Sequence, residues 1–139
     1  FELFGGNTAN SSHETVKEVA CDEFGDVEVL TGKLPVSFKR AGVAICRLID
    51  ETKPDVVIML GQSGLSDCLI QAGIPAKTSS SAGLYVCNRT YFAALHHIAS
   101  TGRNTKAVFI HLPKISDEWP IERMKAAIMQ IINSINHTK

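Results

Sequence analysis

The chain has 139 residues, 45% of them hydrophobic and 20% charged, and its fourteen basic residues balance fourteen acidic ones. That size and composition fit one soluble globular domain with a single core and exclude a disordered chain. The neutral balance argues against a general nucleic-acid binder, and no apolar run approaches the roughly 18 residues that a membrane span needs.

Residues 1–10 read as a Gly/Asn-rich loop. Ser11 or Ser12 is expected to cap a helix running to about Ala20, with Glu14 and Glu18 near the start, where the helix dipole favours acid. Val27 to Leu30 is a short strand candidate. Leu34-Pro35-Val36 is extended, because the residue before a proline avoids the helical region. Ser37 starts a second helix with Phe38, Ala41, Ile45, Leu48 and Ile49 as its apolar positions, and Lys53-Pro54-Asp55 breaks it. Residues 55–60 form the clearest strand, apolar on both faces as a central parallel strand should be.

After the loop Gly61 to Gly64, residues 65–72 read as a short helix stopped by Gly73, with a weak strand over 76–80. A helix from Asn88 to about Ser100 places Tyr91, Phe92, Leu95, Ile98 and Ala99 at helical spacing. Ala107 to Ile110 is a second buried strand, ending at His111. Pro120 opens the last helix, whose apolar face is Ile121, Met124, Ile128, Ile131, Ile132 and Ile135. Alternating strands and helices predict a three-layer α/β/α sandwich around a mainly parallel or mixed sheet. In such sheets ligands bind beyond the carboxyl ends of the strands, where Gln62, Cys87 and His111 fall.

Cys21, Cys46, Cys68 and Cys87 form no CxxC pair, and their spacing does not suit zinc. Four cysteines in a chain this long do not make a disulfide scaffold, so they read as free thiols of a reducing compartment. The opening residues carry neither a basic n-region nor an apolar h-region, so no signal peptide is expected there. Gly5-Gly6 is not a dinucleotide fingerprint, Gly61 to Gly64 lacks the lysine of a phosphate loop, and the Ser79 to Ser81 run lacks the context of a nucleophilic serine. A nucleotide-binding domain is therefore the weakest reading. His96 and His97 point to different faces of one helix and make a poor metal site.

Cys87 is the sharpest candidate. A thiol at a helix N-terminus is expected to have a lowered pKa, and the same amides suit an oxyanion. His111 can face the same crevice as a general base. The competing structural readings are a buried cysteine and a histidine satisfied at a strand end. Together the two residues fit a nucleophilic Cys–His pair, although spacing alone does not bring them into contact. Phe1 and Phe4 beside Gly5-Gly6 suit the wall of an apolar pocket, with core packing as the plainer reading.

These segments resemble, in order, the pyroglutamyl peptidase I (pyrrolidone-carboxylate peptidase) family of cytoplasmic cysteine peptidases. Phe1-Glu-Leu-Phe4-Gly-Gly with Asn10-Ser11 is similar to its N-terminal substrate loop. Leu34-Pro35-Val36 with Phe38, then Lys53 to Ile58 leading to Gly61-Gln62, resembles its second block. Gly73-Ile-Pro-Ala76, followed by Ser81 to Asn88, resembles its nucleophile signature, and Phe109-Ile-His111-Leu-Pro113 its histidine motif. The resemblance implies an omega peptidase that removes N-terminal pyroglutamyl residues through an acyl-enzyme. Cys87 would be the nucleophile and His111 the base. Phe1, Phe4, Val36, Tyr85 and Val86 would line the lactam slot, with Gln62 close to it. It also implies no metal or cofactor, a cytoplasmic location, and a homo-oligomer (tetramer or dimer).

The third catalytic member of that family is a glutamate shortly after the Gly-Gln loop. Here Gly61 to Gly64 runs almost directly into Leu65 to Ala72, which resembles a later helix. The glutamate block is thus absent, with a junction near Gly64–Leu65, and so is the family strand ahead of Phe1. The expectation is that residues 1–139 form a single α/β domain from which these segments have been left out, since losing the strand would expose a parallel-sheet edge. Asp67 is not promoted to the missing role. The alternative is an inactive homologue that binds pyroglutamyl peptides or acts as an interaction module.

Overall fold

The computed structural model describes residues 1–3, 9–62 and 78–136. Two seven-residue strands, β1 (Val56–Gln62) and β2 (Lys106–Leu112), run parallel, with Val56 opposite Lys106 and Gln62 opposite Leu112. Each continues past its expected end, so Gln62 and His111 lie within the ladder rather than beyond it. Among the described residues four helices surround the pair: α1 (Ser11–Val19), α2 (Arg40–Thr52), α3 (Val86–Ser100) and α4 (Ile121–Asn136).

Strand alternation sorts the side chains into two cores. Ile58, Leu60, Ile110 and Leu112 meet Val19 of α1 and Met124, Ile128 and Ile132 of α4 on one face. Val57, Met59, Ala107 and Phe109 meet Ile45 and Ile49 of α2 and Ala94 and Ile98 of α3 on the other. The described residues thus form the expected three layers. Each fully buried anchor, such as Ile49 and Met124 at 1% exposure, contributes about 1.5–3 kcal/mol by leaving water.

Local chemistry explains where the elements begin and end. Asn10, not Ser11 or Ser12, caps α1: it has an extended backbone, and its side-chain oxygen accepts from the Ser12 amide. The two serines occupy the first helical positions instead. Ser37 accepts from the Arg40 amide through its hydroxyl, and α2 begins three residues later than expected. Lys53 ends α2 in the left-handed region at φ 47°, just before Pro54. Residues 27–30 form no ladder, and the described part of the weak strand, 78–80, is irregular. The helix expected over 65–72 lies outside the described residues.

α3 starts two residues earlier than expected and buries Val86, Thr90, Ala94 and Ile98. Phe92 and Leu95 are exposed, against the expected apolar face. The reason is close helix packing: a Cβ on Gly42 of α2 would stand 3.2 Å from the Ala93 Cβ, a separation at which bulky rings do not fit. Phe38, expected in the core of α2, is likewise half exposed, with its ring edge-on to Tyr85. No helix among the described residues is long and apolar enough to cross a membrane.

Candidate active site

The candidate side chains lie at the face of the sheet that packs against α3. Phe109 and His111 are two residues apart on β2, so both project toward α3. Their rings are tilted at 54° with centroids 5.0 Å apart. Phe109 also meets Phe1 at 6.3 Å and Tyr91 at 6.0 Å.

Directly across the ladder from His111 is Gly61. A Cβ at Gly61 would stand 3.1 Å from Cys87 Sγ and 2.9 Å from Phe109 Cε1 and Cζ. The thiol therefore rests against the neighbouring strand at the position paired with His111. Cys87 is the second residue of α3, after the extended N-cap Tyr85. It thus lies in the turn whose amides have no intrahelical acceptor.

The thiol does not show the lowered pKa expected from the helix dipole. Burial pushes the Cys87 thiol up, and this outweighs the backbone hydrogen bond of Cys87 itself, which pulls down. Desolvation penalises the thiolate more than this bond favours it.

The N-terminal segment is tied to this face by one side chain. Asn10, 1% exposed, donates from Nδ2 to the carbonyls of Phe1 and Glu2 at 3.4 and 3.3 Å. Its Oδ1 accepts from the Ser12 amide at 3.1 Å and the Ser12 hydroxyl at 2.7 Å. The Glu2 amide adds a bond to Leu34 O at 3.0 Å. Phe1 is thereby fixed against Phe109. Gln62 projects toward α1, and its Oε1 accepts from the Ser11 amide at 2.8 Å.

Of the residues singled out in the sequence, the structure gathers Cys87, His111 and Phe1 around Gly61 and Phe109. Val86 is buried and Val36 half-buried. Tyr85 is half exposed, against Phe38 with ring centroids 5.3 Å apart. Phe4 lies outside the described residues. A cavity of about 730 Å³ follows the other edge of β1, bordered by Phe1, Val27, Val29 and Ile132, and neither Cys87 nor His111 lines it. Proximity to the thiol, not cavity size, therefore marks the site. His97 is committed to Asp50 at 2.9 Å, which Arg103 also meets at 2.7 Å. His96 stacks on Phe92.

Sequence reasoning assigned no role to Gly61, Phe109 or Asn10. Phe109 was legible in principle as the residue two before His111 on one strand. The convergence on Gly61 was not, because it depends on which strand position α3 meets.

The chain is similar to known proteins of one family. The family described as pyroglutamyl peptidase matches residues 1–67 and 64–135. A pyrrolidone-carboxylate peptidase of Thermococcus onnurineus is 32% identical over 166 aligned positions, which take in 85% of this chain and 82% of that protein. One from Thermococcus kodakarensis is 31% identical over 176 positions, covering 92% and 84%. The solved pyrrolidone carboxyl peptidase of Thermococcus litoralis superposes with a TM-score of 0.81 at 26% identity, over 99% of this chain and 91% of that one. With both segments of the chain matched in order and a thiol beside a histidine-bearing strand, the chain belongs to the pyroglutamyl peptidase family of thiol-dependent hydrolases.

Proposed function

We propose that this hydrolase removes N-terminal pyroglutamyl residues from peptides, with Cys87 as nucleophile and His111 as general base. The observation that carries the assignment is the seat of Cys87 Sγ against Gly61, the ladder partner of His111. Cys87 Sγ attacks the carbonyl carbon joining the pyroglutamyl residue to the next residue. His111 takes the thiol proton and passes it to the departing amine as the C–N bond breaks. First-turn amides of α3 suit the transient oxyanion. Water then hydrolyses the thioester and regenerates the thiol.

The resting thiol, raised by burial, fits a base-assisted attack in which proton removal accompanies substrate binding. Phe1 and Phe109 support an aromatic slot for a small, flat, neutral lactam. Phe4, Val36, Tyr85 and Val86 complete its proposed lining. Gln62 follows Gly61 on β1, close to the slot, with its side chain turned to Ser11 on the other face of the sheet. A slot without a counter-charge rejects a free amino terminus, whose unpaired burial is costly.

We further place a histidine-orienting glutamate in a segment between Gly64 and Leu65 that the 139 residues omit. The family match divides into two stretches that meet at residues 64–67, which supports this. An intact mass from the native source well above 15.1 kDa is expected, and a mass equal to it would refute the omission. Val43, Leu84 and Phe92 are exposed hydrophobics that support assembly as a homo-oligomer, a dimer or a tetramer. Light scattering tests that. Free thiols at Cys21, Cys46 and Cys87 suit the cytoplasm.

The deciding experiment is hydrolysis of a fluorogenic pyroglutamyl amide under reducing conditions, with and without iodoacetamide. Release that iodoacetamide abolishes is expected. A folded protein that binds the amide without turning it over would establish the inactive homologue instead.

A further inference from the structure

The catalytic pair depends on a position that carries no side chain. Gly61 is buried in β1, and its backbone has no left-handed geometry that would call for glycine. A conformational reason for glycine is therefore lacking, and the reason is steric. The volume a methyl group would occupy is already claimed from two directions: by the Phe109 ring edge at 2.9 Å and by Cys87 Sγ at 3.1 Å. Both are closer than carbon or sulfur tolerates without displacement. On the opposite strand the same position is His111.

We propose that Gly61 is a positioning residue for the thiol: its missing side chain lets Cys87 Sγ settle against β1 beside His111, with Phe109 closing the remaining side. The inference rests on the assignment of Cys87 and His111 made above. A methyl group at Gly61 pushes the thiol off the strand and the Phe109 ring toward Phe1 and His111. The reaction then loses alignment between nucleophile and base, beyond any change that the shifted Phe109 ring makes to lactam binding.

The test compares wild type, Gly61→Ala, Phe109→Leu and the double variant in hydrolysis of the fluorogenic pyroglutamyl amide and in inactivation by iodoacetamide. Gly61→Ala is expected to lower kcat by about 100-fold, the scale of a 1 Å misplacement, well beyond the severalfold KM increase that the shifted Phe109 ring brings, and with alkylation altered. Removing the ring gives the methyl group room to shift away from the sulfur, so the same substitution costs less in the Phe109→Leu background. An unchanged kcat and alkylation rate, a loss confined to KM, or an equal loss in both backgrounds would overturn the proposal.

Thermal unfolding of Gly61→Ala with and without Cys87→Ala separates the two claims. If wild type proves inactive, the peptidase assignment fails while the steric claim is still judged by unfolding. Less destabilisation by Gly61→Ala once the sulfur is gone supports the contact, and recovery of folding does so if the single variant does not fold. Equal destabilisation in both backgrounds, or no folding in either, overturns it.

Discussion

The side-chain oxygen of Gln62, at the end of β1, accepts a hydrogen bond from the backbone amide of Ser11 at the start of α1, 2.8 Å away. Ser11 is wholly buried, and its amide is one of the helix's unpaired first-turn donors. One glutamine thus joins the strand end beside Cys87 and His111 to the helix whose cap holds the N-terminal segment. Replacing Gln62 with leucine leaves that donor buried and unpaired. The expected cost is about 1–3 kcal/mol in urea unfolding. Gln62→Glu, which keeps an acceptor, should lose less, and equal losses would mean the bond contributes little.

Asn10 separates capping from clamping. Asn10→Asp keeps an oxygen for the Ser12 amide but replaces the donor that reaches the Phe1 and Glu2 carbonyls. A carboxylate facing two carbonyls repels them. The cap alone is worth about 1 kcal/mol, yet aspartate is itself a good cap, so cap chemistry by itself predicts little change. A marked loss of stability is expected instead, with a KM increase of severalfold as Phe1 leaves Phe109. An aspartate variant indistinguishable from wild type would remove the clamp from the account.

The catalytic roles proposed for Cys87 and His111 predict larger signatures. Cys87→Ser and His111→Ala should each lower kcat/KM by about 10⁴-fold or more, and combining them should add little, because nucleophile and base act as a unit. Circular dichroism should show both variants folded. Full activity in Cys87→Ser would end the assignment.

The raised Cys87 pKa fixes the direction of two pH dependences. Alkylation by iodoacetamide follows the thiolate, so the free enzyme should react faster as pH rises through and beyond the usual thiol range near pH 8.5. For stability, the folded protein retains a proton that the unfolded chain releases. This contribution is fully present below the unfolded thiol pKa and is lost as pH climbs toward the folded one. Cys87→Ala should flatten that alkaline decline in urea-unfolding stability. An alkylation rate already level near neutrality would instead reveal a thiolate paired with His111 at rest.

Packing makes a separate prediction. Ile49, at 1% exposure, anchors the core beneath α3. Ile49→Ala should cost about 2–5 kcal/mol. If the second core sets the position of α3, activity should fall before global unfolding as temperature rises. Parallel loss of activity and structure would count against that coupling.

Much of this was determined by the sequence itself. The apolar runs at 56–60 and 107–110 define parallel strands, because only a sheet covered on both faces buries residues so continuously. The order of motifs around Cys87 and His111 was enough to identify the family. Period-3.6 patterns located α2 and α4 within a few residues. What the tertiary structure decided was contact. Whether Phe92 or Thr90 faces inward on α3 depends on how closely Gly42 lets α2 approach, and no local pattern encodes that distance. Residues 27–30 have strand character but no ladder, since a strand exists only through its partner. The thiol's pKa rose rather than fell because burial, a property of the whole fold, outweighed the local field of the helix end. Gly61 shows the same division: the sequence names a glycine, and only the arrival of Cys87 and Phe109 from elsewhere in the chain gives its missing side chain a purpose.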